Sequence, residues 1–398
     1  MSLFSDVVMA PRDPILGLNE QFASDQNPLK VNLGVGVYYD ENGKLPLLQC
    51  VKQAEENMMK TPTARGYLPI DGIAVYDTAV KDLVFGEGSE PLISGRVATV
   101  QALGGTGALK IGADFLRKLN AKTKVLISNP SWENHNALFS NAGFTVEAYP
   151  YYDASNKGVD FSGMLSCLND SPEGTVVVLH ACCHNPTGYD LTPEQWDQIV
   201  AVVKSKKLTA FLDMAYQGFG FGLEEDGVVV QKFIGAGINF FVATSFSKSF
   251  SLYGERVGAL SIVCKDKEEA SRVLSQVKIV IRTNYSNPPT HGGAMVAAVL
   301  TNPELRALWE SELSQMRVRI KTMRQKLVDG LKAAGIKKDM GFITGQIGMF
   351  SYTGLGKEQM VRLRTEFSVY GTDTGRMCVA VLNLKNIDHV CASMARVM

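Results

Sequence analysis

The sequence predicts an α/β fold: a large domain with a mainly parallel, doubly wound sheet flanked by helices, plus a smaller α/β domain. Three observations carry this. Between residues 124 and 263, apolar β-rich runs alternate with amphipathic helical stretches, the rhythm of a doubly wound sheet. Several runs are hydrophobic throughout, as strands covered on both faces are. A chain of 398 residues suits a large domain and a small one better than a single minimal domain.

In chain order, strands are expected at Lys124–Ser128, Thr145–Tyr149, Thr175–His180, Ala210–Asp213, Phe240–Thr244 and Ala259–Val263. Helices lie between them. Thr192-Pro193-Glu194-Gln195 opens one with an N-cap, a first-turn proline and a capping-box glutamine. Asn302-Pro303-Glu304 caps a helix whose periodicity lasts to about Ala334, with Gly335 as its stop. A helix that long is expected to bridge two domains. After Gly341 the pattern turns to shorter strands and helices, read as the smaller domain.

Composition removes several function classes. Forty basic residues balance forty acidic ones with no run of like charge, which argues against nucleic acid or an anionic membrane as partner. No apolar stretch reaches transmembrane length. The start, Met1 to Pro14, lacks the basic-then-apolar layout of a signal peptide. Seven scattered cysteines, an odd number, do not read as a disulfide framework, and a reducing cytoplasm fits best.

The chemistry concentrates between Ser245 and Gly258. Lys248 stands among Ser245, Ser247, Ser249 and Ser251, with Arg256 eight positions on. A lysine amine forms a Schiff base with a carbonyl, and hydroxyls with a guanidinium hold a phosphate. Together they point to pyridoxal phosphate; the bland alternative is a serine-rich loop with a solvated lysine.

Strand ends supply further candidates, since ligands of open α/β sheets bind beyond the carboxyl ends of strands. Asp213 closes one strand, with Tyr216 three residues on. A buried carboxylate there needs a positive partner, which a protonated pyridine nitrogen would provide; a helix cap or structural ion pair is the alternative. Asn185-Pro186-Thr187-Gly188 presents Asn185 rigidly at another strand mouth. His180, Cys182, Cys183 and His184 invite a zinc reading. The spacing opposes it, because adjacent cysteines in an extended chain point to opposite faces, and no metal is expected. Gly104-Gly105-Thr106-Gly107, ahead of a helix, matches no dinucleotide or P-loop pattern but leaves a single-phosphate cradle open.

These ordered motifs, from Asn32-Leu33-Gly34-Val35-Gly36-Val37-Tyr38 to Gly375-Arg376-Met377-Cys378-Val379-Ala380, resemble the class I aminotransferases of the pyridoxal-phosphate fold type I superfamily, in the aspartate and aromatic amino acid branch. The resemblance covers nearly the whole chain. It implies an N-terminal arm at 1–12, a small domain from 13–44 and 315–398, and a large cofactor-binding domain at 45–314. Lys248 would be the Schiff-base lysine and proton-transfer catalyst. Asp213, backed by His135, would pair with the pyridine nitrogen, while Asn185 and Tyr216 would bind the 3-hydroxyl and Trp132 would stack on the ring. Gly105, Thr106, Ser245, Ser247 and Arg256 would hold the phosphate, with Tyr67 reaching in from a partner subunit. Arg376 would clamp the substrate α-carboxylate, Arg282 of the partner would meet the side chain, and Gly36 would lie over the substrate. His180 is read as a supporting residue.

The resemblance further implies a homodimer with shared sites and ping-pong exchange between an amino acid and 2-oxoglutarate. Tyr39, Leu45, Leu68-Pro69 and the residues around Arg376 look like the aromatic branch; Thr106 and Asn287 match the aspartate type, and Gly66 and Phe221 depart from both. The expectation is an aromatic aminotransferase that also accepts aspartate. An aspartate-specific enzyme is the alternative. A β-lyase or decarboxylase using the same cofactor has less reason to keep both arginines, and a non-catalytic metal or nucleotide binder leaves Lys248 with Asp213 unexplained.

Overall fold

The expected runs become strands, and the central ones are buried on both faces, whereas the edge strand Thr145–Pro150 is largely exposed. The computed structural model, which describes residues 2–10 and 15–398, contains a seven-stranded sheet. Its strands are β1 (Val97–Leu103), β2 (Lys124–Asn129), β3 (Thr145–Pro150), β4 (Val176–His180), β5 (Thr209–Met214), β6 (Phe240–Ser245) and β7 (Val257–Val263). They lie in the order β1-β7-β6-β5-β4-β2-β3. All neighbours are parallel except β7, which runs antiparallel to both β1 and β6.

Two hydrophobic cores form on opposite faces of this sheet. Val176, Val178, Phe211 and Phe241 enter one, and Val177, Leu179, Leu212 and Val242 enter the other. Alternation of side chains along a strand makes that division, and each such residue contributes roughly 1.5–3 kcal/mol on full burial.

The strand β1 was not among the six expected, because Thr99 and Gln101 interrupt its apolar pattern. Both are buried and both are partnered: Thr99 Oγ1 lies 2.8 Å from Ser261 Oγ on β7, and Gln101 Nε2 donates to Pro289 O at 3.0 Å. Tertiary partners make a polar strand affordable here.

The antiparallel β7 positions the site. Ser245 on β6 pairs with Gly258 on β7, so the chain leaving β6 returns to the same sheet edge and holds Ser247, Lys248 and Arg256 above it. The backbone crossing there is close: a Cβ at Gly258 would meet the Gly104 carbonyl carbon at 2.5 Å. Only glycine fits that approach.

The helix Pro303–Ala333 follows its expected bounds. Asn302 Oδ1 accepts from the N–H groups of Glu304 and Leu305, and the chain turns away at Gly335 with φ +88°. Its first half meets the loops beyond the sheet: Trp309 Nε1 donates to Ser249 O at 2.8 Å and its ring stacks on Phe250. Further along, buried Arg324 donates to Gly348 O, Phe350 O and Ser351 Oγ. A small pairing of Val31–Asn32 with Val369–Tyr370 joins the two ends of the chain, and a second, Phe350–Tyr352 with Arg376–Cys378, lies within the C-terminal part. The arm boundary expected between residues 12 and 13 lies outside the described residues. No described helix is long and apolar enough to cross a membrane.

Candidate active site

The loops after β1, β2, β4, β5 and β6 all open onto one edge of the sheet, and a cavity of about 370 Å³ lies there. Gly36, Gly105, Thr106, Trp132, Asn185 and Asp213 line it, together with Tyr216, Ser245, Ser247, Lys248, Arg256 and Arg376. Residues more than 300 positions apart in sequence thus meet around one volume.

Asp213, near the end of β5, is buried, and its Oδ2 lies 2.8 Å from His135 Nε2. A carboxylate only accepts, so Nε2–H donates. His135 Nδ1 is in turn 2.9 Å from Ser131 Oγ, which orients the ring. Burial pushes the Asp213 carboxyl up, but the hydrogen bond and charge of His135, with smaller contributions from His180 and Lys248, outweigh it and hold the group below its ordinary value. Asp213 therefore stays ionised in a dry setting.

Lys248 Nζ sits over the Tyr216 ring, 4.7 Å from its centre. Burial and the Arg256 charge lower its amine to about 8, with Asp213 acting in the opposite sense. A fraction of the amine is therefore neutral near pH 7, as a nucleophile or proton acceptor requires. Burial pushes the Tyr216 phenol well up, so it remains a donor.

At the other end, Arg256 Nη1 donates to Ser247 Oγ at 3.1 Å and to Tyr253 O at 3.0 Å. The glycine run is not ahead of the helix as expected but forms its first turn, since the helix spans Gly104–Leu119. Gly104 has φ +67°, and a Cβ there would lie 2.5 Å from Arg256 Nη2. First-turn N–H groups lack intrahelical acceptors, so Gly105 and Thr106 face the cavity beside Ser245 and Arg256 as an anion cradle.

Arg376 is almost fully buried. Nη1 donates to Asn185 Oδ1 at 3.0 Å, Nη2 donates to Gly34 O at 2.6 Å, and the guanidinium lies over the Phe350 ring. Its Nε is buried with no acceptor among the described residues.

Three expected site residues do not line the cavity. His135 stands behind Asp213. Tyr67 is 96% exposed. Arg282 is exposed in the last turn of the helix Lys267–Asn284 and reaches the Ser286 hydroxyl. Tyr39, Leu45, Leu68, Pro69 and Asn287 are absent from the lining as well.

One expectation about the cysteines needs correction. The chain at Cys183 is not extended but has φ +52°, and the thiols of Cys182 and Cys183 converge with Asp226 within 4.8 Å. Asp226 is already engaged by the backbone N–H groups of Gly218, Gly220 and Phe221. Contact with Cys183 and burial push the Cys182 thiol well up, away from the thiolate a metal needs. Phe221, the departure between glycines, is 68% exposed and touches nothing in the cavity.

Sequence reasoning passed over Tyr253, Phe350 and Ser131. Tyr253 lines the cavity and accepts from Tyr38 N–H at 2.9 Å; it lay inside the quoted lysine segment without a role. Phe350 carried no signal, since its value lies in stacking under a distant arginine. His180 also lines the cavity, with neither ring nitrogen hydrogen-bonded, and burial beside His135 lowers it to about 3.

Known proteins share this arrangement of sequence and fold. Residues 28–394 match the family described as aminotransferase class I and II. The chain is 58% identical over 398 residues to an aspartate aminotransferase of Pseudomonas aeruginosa, covering 100% of both. It is 48% identical over 397 residues to the aromatic-amino-acid aminotransferase of Escherichia coli, again covering 100% of both. A crystal structure of the aromatic-amino-acid aminotransferase from Burkholderia pseudomallei covalently bound to pyridoxal phosphate superposes with a TM-score of 0.97 at 63% identity, over 100% of each chain. With a half-buried lysine and an ionised aspartate lining one cavity at the strand ends, and full-length relatives on both sides of the branch, the chain belongs to the class I and II aminotransferases.

Proposed function

We propose that this aminotransferase exchanges the amino group between an aromatic or dicarboxylic L-amino acid and 2-oxoglutarate by a ping-pong route, favouring tyrosine and phenylalanine while retaining aspartate activity. One observation carries the reading: the Lys248 amine, the Asp213 carboxylate and the Arg376 guanidinium all line the same cavity. Pyridoxal phosphate fits the donor set, because the cavity has an ionised carboxylate for a ring nitrogen, an anion cradle and a buried amine. When bound, it supplies an electron-withdrawing ring that stabilises negative charge at the substrate α-carbon.

The chain's residues divide the remaining work. Lys248 Nζ takes a proton from the substrate and returns it, a task its lowered basicity suits. Asp213, oriented by His135, would keep a proton on the ring nitrogen, while Asn185 and Tyr216 would hold the 3-hydroxyl and Trp132 would cover the ring face. Gly105, Thr106, Ser245, Ser247 and Arg256 bind the phosphate. Arg376 grips the α-carboxylate in a two-pronged geometry that lysine lacks, under the segment that contains Gly36.

Tyr67 and Arg282 lie outside the cavity of their own chain, which supports a homodimer where each completes its partner's site. Residues 13–44 and 315–398 are inferred to act as one small domain over the large domain at 45–314. The pairings of Val31–Asn32 and Phe350–Tyr352 with segments near the C-terminus favour this division. Seven free cysteines favour a reducing cytoplasm.

The deciding experiment mixes the purified holoenzyme with tyrosine, phenylalanine, aspartate and glutamate and follows the cofactor absorbance. Rapid conversion by all four, with the aromatic pair fastest, is expected. Conversion by aspartate and glutamate but not by the aromatic pair would establish the aspartate-specific alternative, for which Thr106 in the lining speaks. Sustained product release beyond one equivalent per site without a 2-oxo acid acceptor would mean a lyase or decarboxylase instead.

A further inference from the structure

Glu133, the first residue of the helix Glu133–Asn141 and the neighbour of Trp132, stands beside the arginine given to the α-carboxylate. Its Oε2 lies 3.9 Å from Arg376 Nη1. That oxygen is buried and accepts no hydrogen bond from any described residue. Buried carboxylates ordinarily gather donors, as Asp213 does from His135 and Asp226 from three backbone N–H groups. Glu133 Oε2 has only the attraction of a guanidinium that donates elsewhere, to the neutral oxygens of Asn185 and Gly34. The rest of the Glu133 side chain is partly open to solvent, which leaves it a way out.

We propose that Glu133 is a resident counter-ion of Arg376. It offsets the buried positive charge while no substrate is present and must give way when a substrate carboxylate arrives, because two carboxylates at one guanidinium repel each other. Glu133 is thus a positioning residue that weakens α-carboxylate binding and, in return, keeps Arg376 charge-balanced between turnovers. The inference rests on the assignment of Arg376 to the α-carboxylate.

The test titrates the holoenzyme with 3-phenylpropionate, an aromatic carboxylate with no amine to transfer, using the cofactor absorbance as signal. Glu133→Gln removes the competing charge at nearly constant shape, and affinity is expected to rise roughly two- to fivefold. The gain should shrink as salt is added. Glu133→Asp keeps the charge and should not show the gain. A purely structural glutamate predicts the opposite sign, so unchanged or weaker binding in Glu133→Gln overturns the proposal. Arg376→Ala separates the two claims. If it binds the probe as well as wild type, or if wild type fails to bind it at all, the Arg376 assignment falls. If Arg376→Ala abolishes binding and Glu133→Gln brings no gain, the counter-ion alone falls.

Discussion

Arg376 and Arg282 are the same side chain, each proposed to meet a carboxylate, and their surroundings could hardly differ more. Arg376 is 1% exposed, donates to Asn185 and Gly34, and lies over Phe350. Arg282 sits exposed near the end of a helix with the Ser286 hydroxyl as its contact. Ordering a free arginine costs about 2 kcal/mol of rotamer entropy, and burial has already imposed that cost on Arg376. A prepared cation suits the α-carboxylate that every amino acid carries. An adaptable one suits a side chain that is sometimes charged and sometimes a ring. Under the proposed roles, dual specificity would follow from how the two arginines are held rather than from their identity.

The largest effect should come from the buried member. Arg376→Ala is expected to lower kcat/KM for phenylalanine and aspartate alike by about 10²–10³-fold, the scale for truncating one partner of a buried charge pair. Steady-state rates with both amino acids measure it, and a loss confined to one of them would break the comparison. Arg282→Ala should be selective. Aspartate is expected to lose about 10–10²-fold in kcat/KM, while phenylalanine changes by less than about threefold. Equal losses would mean that Arg282 supports the fold or the dimer rather than a carboxylate.

The smallest effect concerns a third cation, where burial acts on an amine. A guanidinium keeps its charge on burial, whereas an amine does not always. Burial lowers Lys248 to about 8, so below that pH the amine is mostly protonated and cannot attack a carbonyl. The rate at which apo-protein captures pyridoxal phosphate should therefore rise by about tenfold per pH unit up to pH 8 and flatten above it. A rate still climbing steeply beyond pH 9 would show that Lys248 behaves as an exposed lysine.

Much of this was legible before any coordinates. The apolar runs ending in Asp213 and Thr244 marked buried strands because hydrophobic continuity needs cover on both faces. Local chemistry marked the caps at Thr192 and Asn302, and both are formed. The motifs around Lys248, Asn185 and Arg376 stood out because a Schiff-base lysine, a rigid Asn-Pro turn and a two-pronged arginine are rare enough to be read in order. The misses share a cause. Strand β1 was hidden because Thr99 and Gln101 are polar, and their partners on β7 and at Pro289 are remote in sequence. The left-handed turn at Cys183, which brings two adjacent thiols together, is dictated by the Asp190 carboxylate accepting from both Cys183 and His184 N–H groups.

The sequence by itself determined the α/β class, the long helix, the family and the residue types from which a pyridoxal-phosphate site is built. Hydrophobic period, capping chemistry and motif order are local properties, readable along a line. Only the tertiary structure decided that Arg376 is held by Asn185 and Phe350, that Ser131 in turn orients His135, and that Glu133 faces an arginine without a hydrogen bond. The first and last are contacts between segments dozens to hundreds of residues apart. Their energies depend on burial and on distances of a few ångströms, which no local pattern encodes.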